Sequence, residues 1–374
     1  MIKAFFFSLI SLFTKKNWIL LESESDMCDS TKALFDTMIS MDLNKRYKIF
    51  WCVEDVERAQ KNNKDKNVYF LSIKKIGLKE KIIFTLAHYC VYTHRPVGNR
   101  YNKRQIRVFT THAAMPIKNS SGWFGDPTFH TYILGTSNEC IYYRKKSLGE
   151  SNNYVITGLP RNDDLFIKKN DNLKSLTNGM DYIVWMPTFK HHKGSPRNDF
   201  GVQTKRDISF LTDENLQKLN DKMKQVGMLL IIKPHPSQDL AYLSQTAMSN
   251  ITTLSNETLL DLDINPYLLL GNSEALITDF SSVYLDYLLV DKPIAFELCD
   301  QDKYKNGIGY IMDNPDSFMA GHKLFDIQDA ILFIDDVVNK KDMYKSDRRN
   351  LRDRIHFYKD NESSQRLLQL LKIM

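Results

Sequence analysis

Short apolar runs alternate with stretches of helical spacing along almost the whole chain, and this alternation limits the possible folds more than any other feature. Residues 18–21 form the first apolar run. Residues 29–41 follow, with Ala33, Leu34, Met38 and Met41 at helical spacing, and residues 47–53 are again a compact apolar run. That order is strand, helix, strand. The strand signal returns at 67–71, 90–93, 107–110, 132–134 and 154–157, with a helix expected at 79–86. Strands joined through helices build a mostly parallel sheet with crossovers on its faces.

From Asp163 to Met180 the composition turns polar, with Lys168, Lys169, Asn170, Asp171 and Asn172 in succession, and the stretch reads as an exposed connection. The alternation then restarts with the strand YIVWM. A helix follows over 212–225, with Thr212 as its cap and Leu216, Leu219 and Met223 on one face. Next come the strand MLLIIK, a long middle region, a strand at 275–278, a helix at 282–289 and a strand at 293–297. At 374 residues the chain exceeds what a single core usually supports. Two domains are expected, 1–170 and 171–355, followed by a closing helical stretch at 356–374.

Several classes drop out. The chain has no G-x-x-x-x-G-K-S/T loop, no G-x-G-x-x-G after its first strand and no H-E-x-x-H; His191 and His192 lack partners at metal-ligand spacing, so no metal site is expected. Its basic residues are scattered, which argues against nucleic acid. The net charge of +6 suits an anionic substrate, a phospholipid surface or an ordinary soluble protein alike. Cys28, Cys52, Cys90, Cys140 and Cys299 have no close pair and read as free thiols in a reducing compartment. The opening MIKAFFFSLISLFTKK is too short to span a bilayer and lacks a clear cleavage site. It reads as an amphipathic segment, either packed on the fold or touching a membrane.

Open parallel sheets bind ligands outside the carboxyl ends of their strands, and four segments sit there. His112 follows the strand around Val108, with small residues after it and Lys118 about one turn on. Lys233-Pro234-His235-Pro236 follows MLLII; prolines on both sides would hold the His235 imidazole in one direction, as an acid, base or anion donor requires. Thr278-Asp279-Phe280-Ser281-Ser282 places two hydroxyls where a strand gives way to a helix, a cradle for phosphate. Met186-Pro187-Thr188-Phe189-Lys190-His191-His192-Lys193 suits a polyphosphate or a charged acceptor. Each also has a plain structural reading: a satisfied strand-end histidine, a rigid turn, a helix cap and a solvated loop.

In this order and at these intervals the segments resemble the CDP-glycerol glycerophosphotransferase family of teichoic acid and capsule synthesis. Its H-G-T-P-L-K is similar to His112-Ala-Ala-Met-Pro-Ile-Lys118, and its T-G-x-P-R-N-D to Thr157-Gly-Leu-Pro-Arg161-Asn162-Asp163. Its P-T-F/W-R is similar to Pro187-Thr188-Phe189-Lys190, and its K-x-H-P to Lys233-Pro-His235-Pro236. The D-x-S-S…D-Y…K-P-I pattern is carried by Asp279, Ser281, Ser282, Asp286, Tyr287, Lys292, Pro293 and Ile294. Two departures stand out: Ala113 replaces the usual glycine, and Lys190 stands where arginine is common, which forgoes a bidentate grip on phosphate.

The resemblance implies an α/β, GT-B-like fold of two Rossmann-like domains facing across a cleft, with the closing helix returning to the first. It implies transfer of glycerol phosphate or ribitol phosphate from CDP-glycerol or CDP-ribitol to a hydroxyl of a lipid-linked or membrane-bound acceptor, releasing CMP. The enzyme would work peripherally at the cytoplasmic face of the membrane. His112 would be the base, and His235 would neutralise charge on the pyrophosphate. Lys233, Asp279, Ser281, Ser282 and Thr188 would bind the donor; Lys118, Arg161, Asn162, Lys190 and Lys193 would meet phosphate or acceptor. No cofactor is implied, and dependence on a divalent metal stays open. Two other functions fit the same architecture: a sugar-nucleotide glycosyltransferase and a non-catalytic interaction protein.

Overall fold

The computed structural model describes residues 7, 9–24, 26–94, 96, 102–119, 126–188, 211–234 and 248–374. It divides into two compact units. The first takes the described residues of Met1–Ala114, Ser121–Asp163 and Phe357–Met374, the second those of Met115–Ser120 and Asp164–His356.

The first unit is built on seven strands: β1 (Lys15–Glu22), β2 (Lys48–Val53), β3 (Val68–Ser72), β4 (Ala87–Tyr92), β5 (Ile106–Phe109), β6 (Tyr132–Gly135) and β7 (Tyr154–Ile156). They lie in the order β3-β2-β1-β4-β5-β6-β7, all neighbours parallel. Helices cover the sheet, so its central strands are apolar on both sides rather than alternating. Leu20, Phe50, Cys52, Cys90, Tyr92 and Phe109 share one buried cluster, which puts two of the thiols to use as small core side chains. The helix Asp29–Ser40 buries Ala33, Leu34, Phe35 and Met38. β1 starts three residues before the apolar signal: Lys15 pairs with Ala87 ahead of a register shift, and exposed lysines carry no hydrophobic mark.

The second unit has six strands: β8 (Tyr182–Met186), β9 (Leu229–Ile232), β10 (Ile251–Thr253), β11 (Ala275–Thr278), β12 (Ile294–Glu297) and β13 (His322–Leu324). Their order is β10-β9-β8-β11-β12-β13, again parallel throughout. The helix Asp213–Val226 begins where Thr212 accepts the Asn215 N–H and ends at Gly227 in the left-handed region (φ 68°), with Leu216, Leu219 and Met223 buried.

Both sheets reverse direction once. In the first the chain winds outward through β2 and β3, then crosses back over β1 to β4; in the second it winds through β9 and β10, then crosses over β8 to β11. The openings that result, outside the carboxyl ends of β1 and β4 and of β8 and β11, are where such sheets hold ligands.

The polar stretch after Asp163 is not simply an exposed connection: Asn170 caps the helix Asp171–Leu176, and Leu173 and Thr177 are fully buried. Asn170 serves as a cap and Lys169 donates to the Met180 carbonyl, roles that composition alone cannot distinguish from those of a linker. Among the described residues the chain changes unit after Ala114, after Asp163 and after His356. Asp163 accepts the N–H groups of Ser363 and Ser364, anchoring the closing helix Ser363–Leu370 within the first unit. At the other end of the chain, Leu9, Leu12 and Phe13 are exposed (47%, 55% and 69%) rather than packed, next to exposed Lys15 and Lys16.

Candidate active site

The second unit gathers its polar groups at the β8/β11 opening around one carboxylate. Asp279, 1% exposed, accepts the Thr188 N–H at 2.9 Å on each oxygen, the Thr188 hydroxyl, and the Ser281 N–H at 3.2 Å. Thr278 adds a bond from its hydroxyl to the Met186 carbonyl, 2.7 Å. Asp279 and Thr188 thereby tie together the loops that follow β11 and β8. Ser281 and Ser282 remain half-buried at the edge. The helix after them is only Val283–Tyr287, shorter than the eight residues expected, so its dipole is small and the hydroxyls rather than the helix make the case for phosphate.

Lys233, at the end of β9, is 5% exposed; its ammonium donates to Asn256 Oδ1 at 2.7 Å. Nearby motif residues serve packing. Tyr267 donates to Asp286 at 2.8 Å, Tyr287 and Ser273 hydroxyls lie 2.9 Å apart, and Lys292 donates to the Ser273 carbonyl at 2.7 Å. Lys118 also belongs to this unit. Its backbone bridges Tyr310, with Ile311 N–H donating to Ile117 O at 2.9 Å, beside the stack of Phe280 on Tyr304 (centroids 4.2 Å apart). Sequence spacing put Lys118 one turn beyond His112. The buried Ala113 to Ile117 instead carry the chain from one unit into the other.

The first unit assembles its own cluster at the β1/β4 opening. His112 is exposed, and the residue before it, Thr111, sits in the left-handed region (φ 59°) with its hydroxyl donating to Ala113 O. Arg144 donates to the same carbonyl at 2.6 Å. The His112 ring lies parallel to that of His94, centroids 4.8 Å apart and planes 20° off. His94 Nε2 is 2.7 Å from Glu24, and its Nδ1 is 3.0 Å from the Thr93 hydroxyl. Sequence reading missed Glu24 and His94. The signal was the one that singled out His112, a histidine directly after an apolar strand.

Arg161 and Asn162 are both buried, at 3% and 2% exposure. Arg161 Nη1 donates to both oxygens of Asp29, at 3.1 and 3.2 Å. The Asn162 amide has no hydrogen-bond partner among the described residues. Lys190, Lys193 and His235 lie outside the described residues.

Two Rossmann-like units, each with polar side chains collected where its sheet reverses, make this an α/β protein of GT-B-like architecture. The family model described as CDP-Glycerol:Poly(glycerophosphate) glycerophosphotransferase matches residues 4–372, and the chain belongs to that family. It is 25% identical over 249 residues to the teichoic acid glycerol-phosphate primase of Bacillus subtilis (strain 168), covering 65% of this chain and 58% of that protein. It is 26% identical over 228 residues to the teichoic acid glycerol-phosphate transferase of Staphylococcus aureus (strain NCTC 8325 / PS 47), covering 58% and 53%. These alignments thus span just over half the length of the curated relatives. Among solved structures, the wall teichoic acid polymerase TagF shares the fold, with a TM-score of 0.76 over 98% of this chain and 92% of that one at 17% identity.

Proposed function

We propose that the protein transfers an alditol phosphate, glycerol phosphate or ribitol phosphate, from its CDP-activated form to a hydroxyl of a membrane-linked polymer, releasing CMP. Membership of the glycerophosphotransferase family carries this reading. Two features of the chain support it: the paired hydroxyls after β11 with the lysine at the end of β9, and an exposed histidine after β5.

In the proposed reaction His112 takes the proton of the acceptor hydroxyl as its oxygen attacks the alditol-bearing phosphorus. The bond from that phosphorus to the bridging oxygen breaks, and CMP departs with the electron pair. Ser281, Ser282 and Lys233 bind the donor phosphates, on loops that Asp279 and Thr188 hold in place. His235 offsets the charge that develops on CMP, while Lys118, Lys190 and Lys193 add positive charge for phosphate. Arg161 and Asn162, both buried, meet phosphate or the acceptor. Charges oriented before the reaction cost little to reorganise during it, which is what makes such a site effective.

Incubating purified protein with CDP-glycerol, CDP-ribitol and UDP-sugars in the presence of a lipid-linked acceptor tests the reading. CMP release with phosphate retained in the product is expected, falling at least about 100-fold in His112→Ala. Transfer of a bare glycosyl group with release of UDP would instead make it a glycosyltransferase. Peripheral work at the cytoplasmic face of the membrane is part of the proposal. Among the described residues no helix is long and apolar enough to cross a bilayer, and the exposed Leu9, Leu12 and Phe13 beside Lys15 and Lys16 suit an anionic lipid surface. Flotation with anionic liposomes should fall when these three are changed to Ser; unchanged flotation would remove the segment from the reading.

A further inference from the structure

His112 raises a physical problem for a general base. Its side chain is exposed, and an exposed imidazole ordinarily samples several rotamers, whereas proton transfer needs one nitrogen held within hydrogen-bond reach of one hydroxyl. The backbone is fixed on one side by the left-handed Thr111 and on the other by Arg144 at the Ala113 carbonyl, 2.6 Å away. Neither contact sets the direction of the ring.

His94 can. It stands at the end of β4, next to β5, whose end carries His112, and its ring is clamped at both nitrogens, by Glu24 Oε2 at 2.7 Å and by the Thr93 hydroxyl at 3.0 Å. Glu24 comes from the end of β1, so the Glu24–His94 contact spans the opening where the sheet reverses, much as Asp279 and Thr188 span the opening in the second unit. The Glu24 side chain is 72% exposed, so the contact adds little to stability and its effect is directional. A ring immobilised in this way presents a flat face, and His112 lies against it at 4.8 Å with the planes 20° apart, the separation of offset stacking.

We propose that His94 is a positioning residue for His112, a clamped imidazole platform that fixes the plane of the proposed base. The proposal rests on the reading of His112 as the group that takes the acceptor proton. His94 itself needs no contact with substrate, and its effect falls on turnover rather than on donor binding, which is assigned to the other unit.

Three proteins test this: wild type, His94→Ala and His94→Phe. Each is followed by CMP release from CDP-glycerol and by the imidazole Hε1 resonance of His112, identified by its absence from the spectrum of His112→Ala. His94→Ala should lower kcat by about tenfold or more with donor KM nearly unchanged, because a misdirected base loses much of its advantage. His94→Phe restores a flat platform without the Glu24 contact and should recover most of that loss. The His112 resonance should move in His94→Ala as the neighbouring ring current disappears. A wild-type kcat in His94→Ala, a Phe variant no better than the Ala variant, or an unmoved His112 resonance would each overturn the proposal. If wild type releases no CMP, the transfer reading fails, and the resonance shift still decides whether His94 orders His112.

Discussion

Asp279 carries the loops of the second unit, and its position in the sequence says nothing of the task. Four donor contacts converge on it from Thr188 and Ser281 in a site 1% exposed. Asp279→Ala would leave those donors buried without an acceptor, at a cost of about 3 kcal/mol or more. Asp279→Asn keeps one oxygen and should cost less. Urea unfolding of the two variants checks the order, and an Ala variant as stable as wild type would remove the tether. That Asp279 and Thr188 stood at strand ends was legible in the sequence. That they bond to each other was not, because Thr188 lies 91 residues away and only the β8/β11 pairing makes them neighbours. Glu24 and His94 were hidden in the same way, brought together by β1 and β4.

The elements read from apolar runs or helical stripes lie within a few residues of their expected places, whereas the helices Asn138–Leu148 and Ile327–Val338 and the short polar elements were not read from the sequence. The region between β9 and β11 gave no periodic signal, yet the described part of it holds β10 and the helices Asn256–Asp261 and Pro266–Gly271. Six residues are too few for a hydrophobic period to emerge. Their caps were the readable sign: Ser255 accepts the Thr258 N–H, and Asn265 accepts the Tyr267 N–H just before Pro266. Gly271 closes the second of these helices for a steric reason. A Cβ there would lie 2.1 Å from the Leu165 carbonyl oxygen, and backbone cannot step aside as a flexible side chain can. Gly271→Ala should therefore cost about 2–3 kcal/mol, read as a lower midpoint of thermal unfolding; an unchanged midpoint would mean that Leu165 yields freely.

For the molecule as a whole, stability should fall in mild acid through one buried histidine. His130 is 4% exposed, stacks on Phe109 at 4.9 Å and has Nδ1 2.7 Å from the Tyr92 hydroxyl. Burial first, and the Arg107 charge second, push its pKa from the ordinary 6.5 down to about 4. The unfolded chain therefore binds a proton below 6.5 that the folded chain refuses until about 4. The stabilisation is fully present above pH 6.5 and is lost as pH falls to about 4, up to about 3 kcal/mol. Unfolding free energies between pH 7 and 4 check it: His130→Phe should flatten the slope over that window, and a variant with the wild-type slope would clear His130 of the effect.

The sequence by itself determined the α/β class, the strand-end addresses of His112, Lys233, Ser281 and Ser282, and the family resemblance. All of these follow from local information: the period of the apolar residues and the order of short motifs along the chain. Only the tertiary structure decided which strand ends are neighbours. The crossing from β3 over β1 to β4, and from β10 over β8 to β11, brings together side chains that are far apart along the chain. Parallel pairing leaves no mark of partner or order in a run of apolar residues buried on both faces. Hence Arg161 turns out to serve Asp29, Asp279 to serve Thr188, and His112 to lie against a second histidine that the motifs did not contain.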